Sequence, residues 1–166
     1  MNSAHVEKNR RCRETRKTTV VRVTAILVVI LIAPALPQAQ GLPANMIRVE
    51  IGGLRNDKGQ VLCALFASAR DFPKNGDKAI AQAKSGISHG HAECEFPGVA
   101  AGRYAVSAFH DENSNGKMDA NFMGIPREGV AASNNARGHF GPPKFDDAAF
   151  FYSGGRLDLS ITVAYL

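Results

Sequence analysis

No apolar run in this chain is long enough to cross a membrane as a helix. The longest, VTAILVVILIA at 23–33, has 11 residues, against roughly 20 needed to span about 30 Å of hydrocarbon. What precedes it is basic: Lys8, Arg10, Arg11, Arg13, Arg16, Lys17 and Arg22 against Glu7 and Glu14. A basic stretch, a short apolar run and then small residues in APALPQAQG follow the layout of a secretory signal peptide. We expect a signal peptide over 1–39 with cleavage after Ala39, a short segment at 40–45, and one domain over 46–166. The competing reading of 23–33 is an uncleaved N-terminal anchor.

A charge excess is also missing once that leader is set aside. The chain has 20 Lys+Arg and 15 Asp+Glu; the leader holds seven and two, which leaves 13 of each. A formally neutral domain has no basic cluster to track a phosphate backbone, so nucleic acid is excluded as the expected partner. Cysteine is scarce as well. Cys12 leaves with the leader, and Cys63 and Cys94 remain. An even pair in an oxidising compartment points to a disulfide, which would contribute about 3 to 4 kcal/mol through loop closure. The alternative is two buried thiols acting as small hydrophobes. Neither cysteine has a local nucleophile signature, and no internal repeat is present.

What is present is alternation with period two. MIRVEIGGL (46–54) sets Ile47, Val49 and Ile51 opposite Arg48 and Glu50, the pattern of a half-buried strand. GQVLCALFA (59–67) is apolar on both faces and reads as a central strand, with a hairpin turn at 55–59 before it. HAECEF (91–96) places Ala92, Cys94 and Phe96 inward, so Cys94 faces the core. GRYAVSAFHD (102–111) and RLDLSITVAYL (156–166) alternate likewise, and short strands fit near 129–132 and 148–151. DKAIAQAKSG (77–86) has helix-forming composition with a glycine stop and predicts a short helix or compact loop. Together these predict an all-β, antiparallel β-sandwich of about seven strands, immunoglobulin-like or prealbumin-like.

HDENSNGKMDANFMGIPREG (110–129) carries the chemistry. Asp111, Asn113, Asn115, Gly116 and Asp119 form DxNxNGxxD, and oxygen-bearing side chains at alternate positions converge when the chain curls around a point. That is the start of a calcium loop, with the Lys117 carbonyl as a further ligand and Asp119 at the ninth position. The twelfth position, where a bidentate Glu belongs, is Phe122, so the expected site is weak, with Kd on the order of 10⁻⁴ to 10⁻³ M, unless a distant acid such as Glu128 supplies the missing oxygens. Asn115-Gly116 is also a hairpin-turn signal, and a solvated turn is the competing reading.

The run 110–136, the preceding GRYAVSAF and the following GPPKFDDAAFF resemble the bacterial secreted proteins grouped as domain-of-unknown-function family 2141, over about residues 46–166. The resemblance implies an exported β-sandwich without an established activity. GRYAV is also similar to the PGxYxV strand of prealbumin-like and carboxypeptidase-regulatory modules, and the DxNxNG loop resembles those of secreted adhesin repeats, where it holds calcium.

Three further candidates stand beside the loop. His89 and His91, with His110, would suit zinc or copper if they shared a strand face. A hydrolase would take His110 as base, Asp111 as its orienter and Ser133 or Ser107 as nucleophile, although neither serine lies in a GxSxG elbow. Phe140, Phe145, Phe150 and Phe151 either plug the sandwich edge or form a binding loop. The expected function is therefore an exported periplasmic or secreted module. A binding or structural task, an unknown protein or small-molecule partner and calcium as the candidate ion go with it. The alternative is a periplasmic hydrolase using His110 and nearby acids.

Overall fold

A computed structural model of the chain describes residues 45–166. The expected signal peptide at 1–39 lies outside these residues. Strands β1 (Met46–Gly52), β2 (Gln60–Phe66), β3 (Ala81–Ser85), β4 (Ala92–Pro97), β5 (Gly102–Asp111), β6 (Val130–Ala132), β7 (Phe150–Tyr152) and β8 (Arg156–Thr162) are joined by turns and one short helix, α1 (Phe145–Ala148).

The strands build two sheets. One has the order β4-β1-β8, and the other has the order β3-β2-β5-β6 with β7 alongside β5. Alternation along β1 sends Ile47, Val49 and Ile51 into the space between the sheets, where all three are fully buried. Each such side chain contributes about 1.5 to 3 kcal/mol. Val61, Cys63 and Leu65 of β2, Cys94 and Phe96 of β4, and Ile161 of β8 complete this core. Cys63 and Cys94 are bonded, with Cα atoms 6.5 Å apart, so the disulfide ties β2 of one sheet to β4 of the other.

β2 is apolar on both faces because its sheet is covered on both. Ala64 and Phe66 face outward into a second cluster with Phe72, Ala105, Phe145 and Ala148. The aromatic residues of the late loop accordingly divide. Phe145 covers this outer face and Phe150 packs on the main core, whereas Phe140 and Phe151 are exposed.

Three local expectations are corrected. Residues 81–85 pair with β2 as an edge strand, with Cys63 opposite Ala83, and only Gly76–Lys78 coils, as a single 3-10 turn. Ala81 and Ala83 pack against the core while Gln82 and Lys84 face water, so the period-two pattern outweighs the helix propensity of Ala, Lys and Gln. Second, the turn at 55–59 is not a hairpin turn: β1 and β2 belong to different sheets, and the segment crosses between them. Third, β1 runs parallel to β8, with Val49 beside Leu159, while the other ladders are antiparallel.

The crossing at 53–59 is what reaches the loop after β5. Gly59 adopts φ +72°, and a Cβ there would overlap the backbone of Asp111 and Glu112. Only glycine permits that approach. Gln60 therefore enters β2 directly opposite Asp111 at the end of β5.

Candidate functional site

Asp111 is fully buried at the point where β5 ends and the loop begins. Its carboxylate accepts hydrogen bonds from Gln60 Nε2 (2.9 Å), the Gly116 N–H (2.9 Å) and the Asn115 N–H (3.0 Å). Burial pushes its acidity toward the neutral form, but Gln60 and the Gly116, Asn115 and Ser114 amides outweigh it. The carboxyl is held below its ordinary value, as expected for a carboxylate ringed by donors.

The loop curls around that anchor. Asn113 Oδ1 accepts the Asn115 N–H (3.0 Å) and Asn115 Oδ1 accepts the Lys117 N–H (2.7 Å), two successive side-chain turns of the kind Asn forms readily. Gly116 takes φ +75° at the sharp turn. The side-chain amides of Asn113 and Asn115 then donate to the two oxygens of Asp119, at 2.7 and 3.2 Å. Asn113, Asn115 and Asp119 are thus brought together, with Asp111 at the root of the loop and the Lys117 amide tied to the same turn.

Glu128 is the residue whose role the sequence pattern did not reveal. It is buried, and its carboxylate accepts the Glu112 N–H (2.9 Å) with one oxygen and the Asp119 N–H (3.0 Å) with the other. The two ends of the loop are clasped by one side chain. The signal available was its placement after GIP and before Gly129, where nothing but glycine fits against Val163 and Tyr165. Phe122, at the twelfth position, points to solvent.

His110 sits on the opposite face of β5 and is fully buried. Its Nε2 lies 2.8 Å from the Lys58 carbonyl and its Nδ1 lies 2.7 Å from the Tyr165 hydroxyl. A carbonyl only accepts, so Nε2 donates to Lys58, while Nδ1 and the Tyr165 hydroxyl share the second hydrogen bond. The Tyr165 oxygen in turn accepts the Arg55 N–H (3.0 Å), and the Arg55 guanidinium stacks over its ring. Burial pushes the Tyr165 phenol above its ordinary value. Glu112 completes the group through its ion pair with Arg55.

The catalytic constellation does not assemble. Alternation along β5 turns Asp111 away from the His110 ring, and both ring nitrogens are engaged elsewhere. Ser133 is fully buried, accepting the Val106 N–H (2.9 Å) and donating to the Ala148 carbonyl (2.5 Å). Ser107 lies 3.5 Å from the Pro73 carbonyl. The histidine cluster is also dispersed. His89 and Gly90 are the central residues of a turn closed by Ser88 and His91, with φ of +54° and +75°. His89 bonds Ser88 Oγ, His91 lines a shallow depression with Glu50 and Glu93, and His110 is in the core.

A family model described as "Uncharacterized protein conserved in bacteria (DUF2141)" matches residues 49–159. No curated protein and no solved structure matches the chain.

Proposed function

Because the chain belongs to domain-of-unknown-function family 2141, a bacterial family, we propose that it is an exported β-sandwich module with one weak calcium-type site. The 111–119 loop holds the ion, and the module's task is binding or structural. The observation that carries this reading is the meeting of Asn113, Asn115 and Asp119 on a loop rooted at Asp111.

Oxygen-only shells of carboxylates, amides and carbonyls are what a hard cation requires. A cation entering the loop would replace the Asn113 and Asn115 N–H groups as the partner of Asp119, and rotation of those amides would turn their oxygens inward. Lys117 would add its carbonyl. With two carboxylates in the shell and Glu128 engaged by backbone amides, affinity in the range of about 10⁻⁴ to 10⁻³ M is expected. Export is supported by the basic-then-apolar leader at 1–39 and by the Cys63–Cys94 bridge, since disulfides persist in oxidising compartments.

Calorimetric titration of the purified protein with calcium tests the site against an Asp111→Ala/Asp119→Ala variant and an Asp119→Ala variant. Saturable heat and a rise in melting temperature are expected in the parent and not in either variant. Equal heats in all three, or no thermal shift in any, would overturn it.

A further inference from the structure

Beyond Asp119 the loop carries a feature that the ion site does not use. The Arg127 N–H donates to the Asp119 carbonyl (2.9 Å), and Ala120 is bridged to Pro126, so residues 119–127 run out and back as a small hairpin. Asn121 fixes its tip. Its N–H donates to the Ile125 carbonyl (2.8 Å), its carbonyl accepts the Gly124 N–H (2.9 Å), and its side-chain oxygen accepts the Met123 and Ile125 N–H groups (2.9 and 3.0 Å).

This pinned tip presents apolar side chains to water. Phe122 is 95% exposed and Met123 64%, with Ile125 of the same hairpin at 40%. Single exposed apolar residues are ordinary, but a contiguous group on an ordered projection marks an interaction site.

We infer that the hairpin is a membrane-surface finger, seating Phe122 and Met123 at the headgroup and acyl boundary of an anionic phospholipid bilayer. Charge at its base favours that occupant. Lys117 and Arg127 flank the hairpin, and among the described residues the ion pairs engage other side chains. Two acids of the same loop are turned inward, Asp119 onto the Asn113 and Asn115 amides and Glu128 onto two backbone N–H groups. Two available cations behind an apolar tip match a surface of lipid phosphates over acyl chains. A convex tip also needs no preformed pocket in a fluid layer, as it would in a protein partner. The proposed ion would take the Asp119 carboxylate and the Lys117 carbonyl but neither the apolar tip nor the Lys117 and Arg127 side-chain cations, so the inference does not rest on that site.

The chain has no tryptophan, so Phe122→Trp installs a single reporter at the tip. Phe151→Trp, in β7 and 83% exposed as phenylalanine, serves as the control. Purified protein is titrated with vesicles of phosphatidylcholine and phosphatidylglycerol in equal parts, and with phosphatidylcholine alone. On the anionic vesicles the Phe122→Trp emission shifts to the blue and is shielded from iodide, while Phe151→Trp does not move. Higher salt weakens the response. Phe122→Asp/Met123→Asp, with an unchanged far-ultraviolet circular dichroism spectrum, loses about tenfold or more in vesicle co-sedimentation. The inference is overturned if Phe122→Trp does not respond to vesicles or if the double variant sediments as the parent does. It is equally overturned if the blue shift appears without lipid and grows with protein concentration, which would assign the tip to a protein contact.

Discussion

Asp111 holds three donors from two segments, and its removal costs the loop its root. Its folded-state acidity is held below the ordinary 3.8 by Gln60 and the loop amides, against the opposing effect of burial. A depressed carboxyl stabilises the fold above its unfolded-state value, and that stability is lost as pH falls through the folded-state value. Asp57, Glu93 and Asp158 are also lowered, held by the Gly90 N–H, Arg48 and Arg156 respectively, and add the same sign. The melting temperature of the parent is therefore expected to fall between about pH 5 and pH 2. Asp111→Asn, which keeps the shape but presents an N–H₂ where an acceptor is needed, is expected to be less stable by about 2 kcal/mol near neutral pH. It is also expected to show a shallower acid limb in thermal melts across that range. An acid limb unchanged by the substitution would remove Asp111 as the loop's anchor. His110 matters differently: its partners Lys58 and Tyr165 lie 52 and 55 positions away along the chain, so its structural role could not be read from neighbours in sequence.

Ser133 shows how one side chain joins elements that the strands leave apart. The β5–β6 ladder ends at Ser107 opposite Ala132, and the β5–β7 ladder covers Gly102 to Tyr104. In the gap, the Val106 N–H is taken by Ser133 Oγ, which donates in turn to the carbonyl of Ala148 at the end of α1. Ser133→Ala leaves a buried N–H without an acceptor, so a loss of about 1 to 3 kcal/mol is expected in urea unfolding. Ser107→Ala, at a half-buried site with only a 3.5 Å contact to Pro73, is expected to change stability by less than about 0.5 kcal/mol. Equal losses in both would contradict this account. The same elements show what the sequence made legible. Strands β1, β4, β5 and β8 are readable because one face of each is buried against the opposite sheet, which imposes period two, and β2 because burial on both faces makes it a continuous apolar run. β3 is not, because its Ala, Gln and Lys residues suit a helix locally and become a strand only by pairing with β2. The crossing at 55–59 resembles a hairpin turn for a related reason: a turn sequence sets the local bend and not the sheet that the next strand joins. In the candidate loop, the alternate oxygens were legible and the clasp by Glu128 was not, since its amide partners belong to Glu112 and Asp119.

Two sheets of this size share one core, and the covalent link between them is the Cys63–Cys94 bridge from β2 to β4. The parallel pairing of β1 with β8 adds a second long-range closure, placing Met46 beside Arg156. Both join segments far apart in sequence, and the covalent one also restrains the unfolded chain. Removing the covalent closure enlarges the unfolded ensemble while leaving most native contacts in place. Cys63→Ala/Cys94→Ala is thus expected to lose about 2 to 5 kcal/mol in chemical denaturation, with slower refolding than the oxidised parent. The bridge also makes compartment measurable in one experiment. Cys63 and Cys94 are consumed by each other, so alkylation of the denatured, unreduced protein recovered from the cell envelope reports on Cys12 alone. If the leader is removed during export, no cysteine is labelled without reductant and two are labelled after it. One label before reduction would show that the leader is retained, as the anchor reading of 23–33 requires, and labelling of Cys63 or Cys94 before reduction would show that the bridge is not made in the cell.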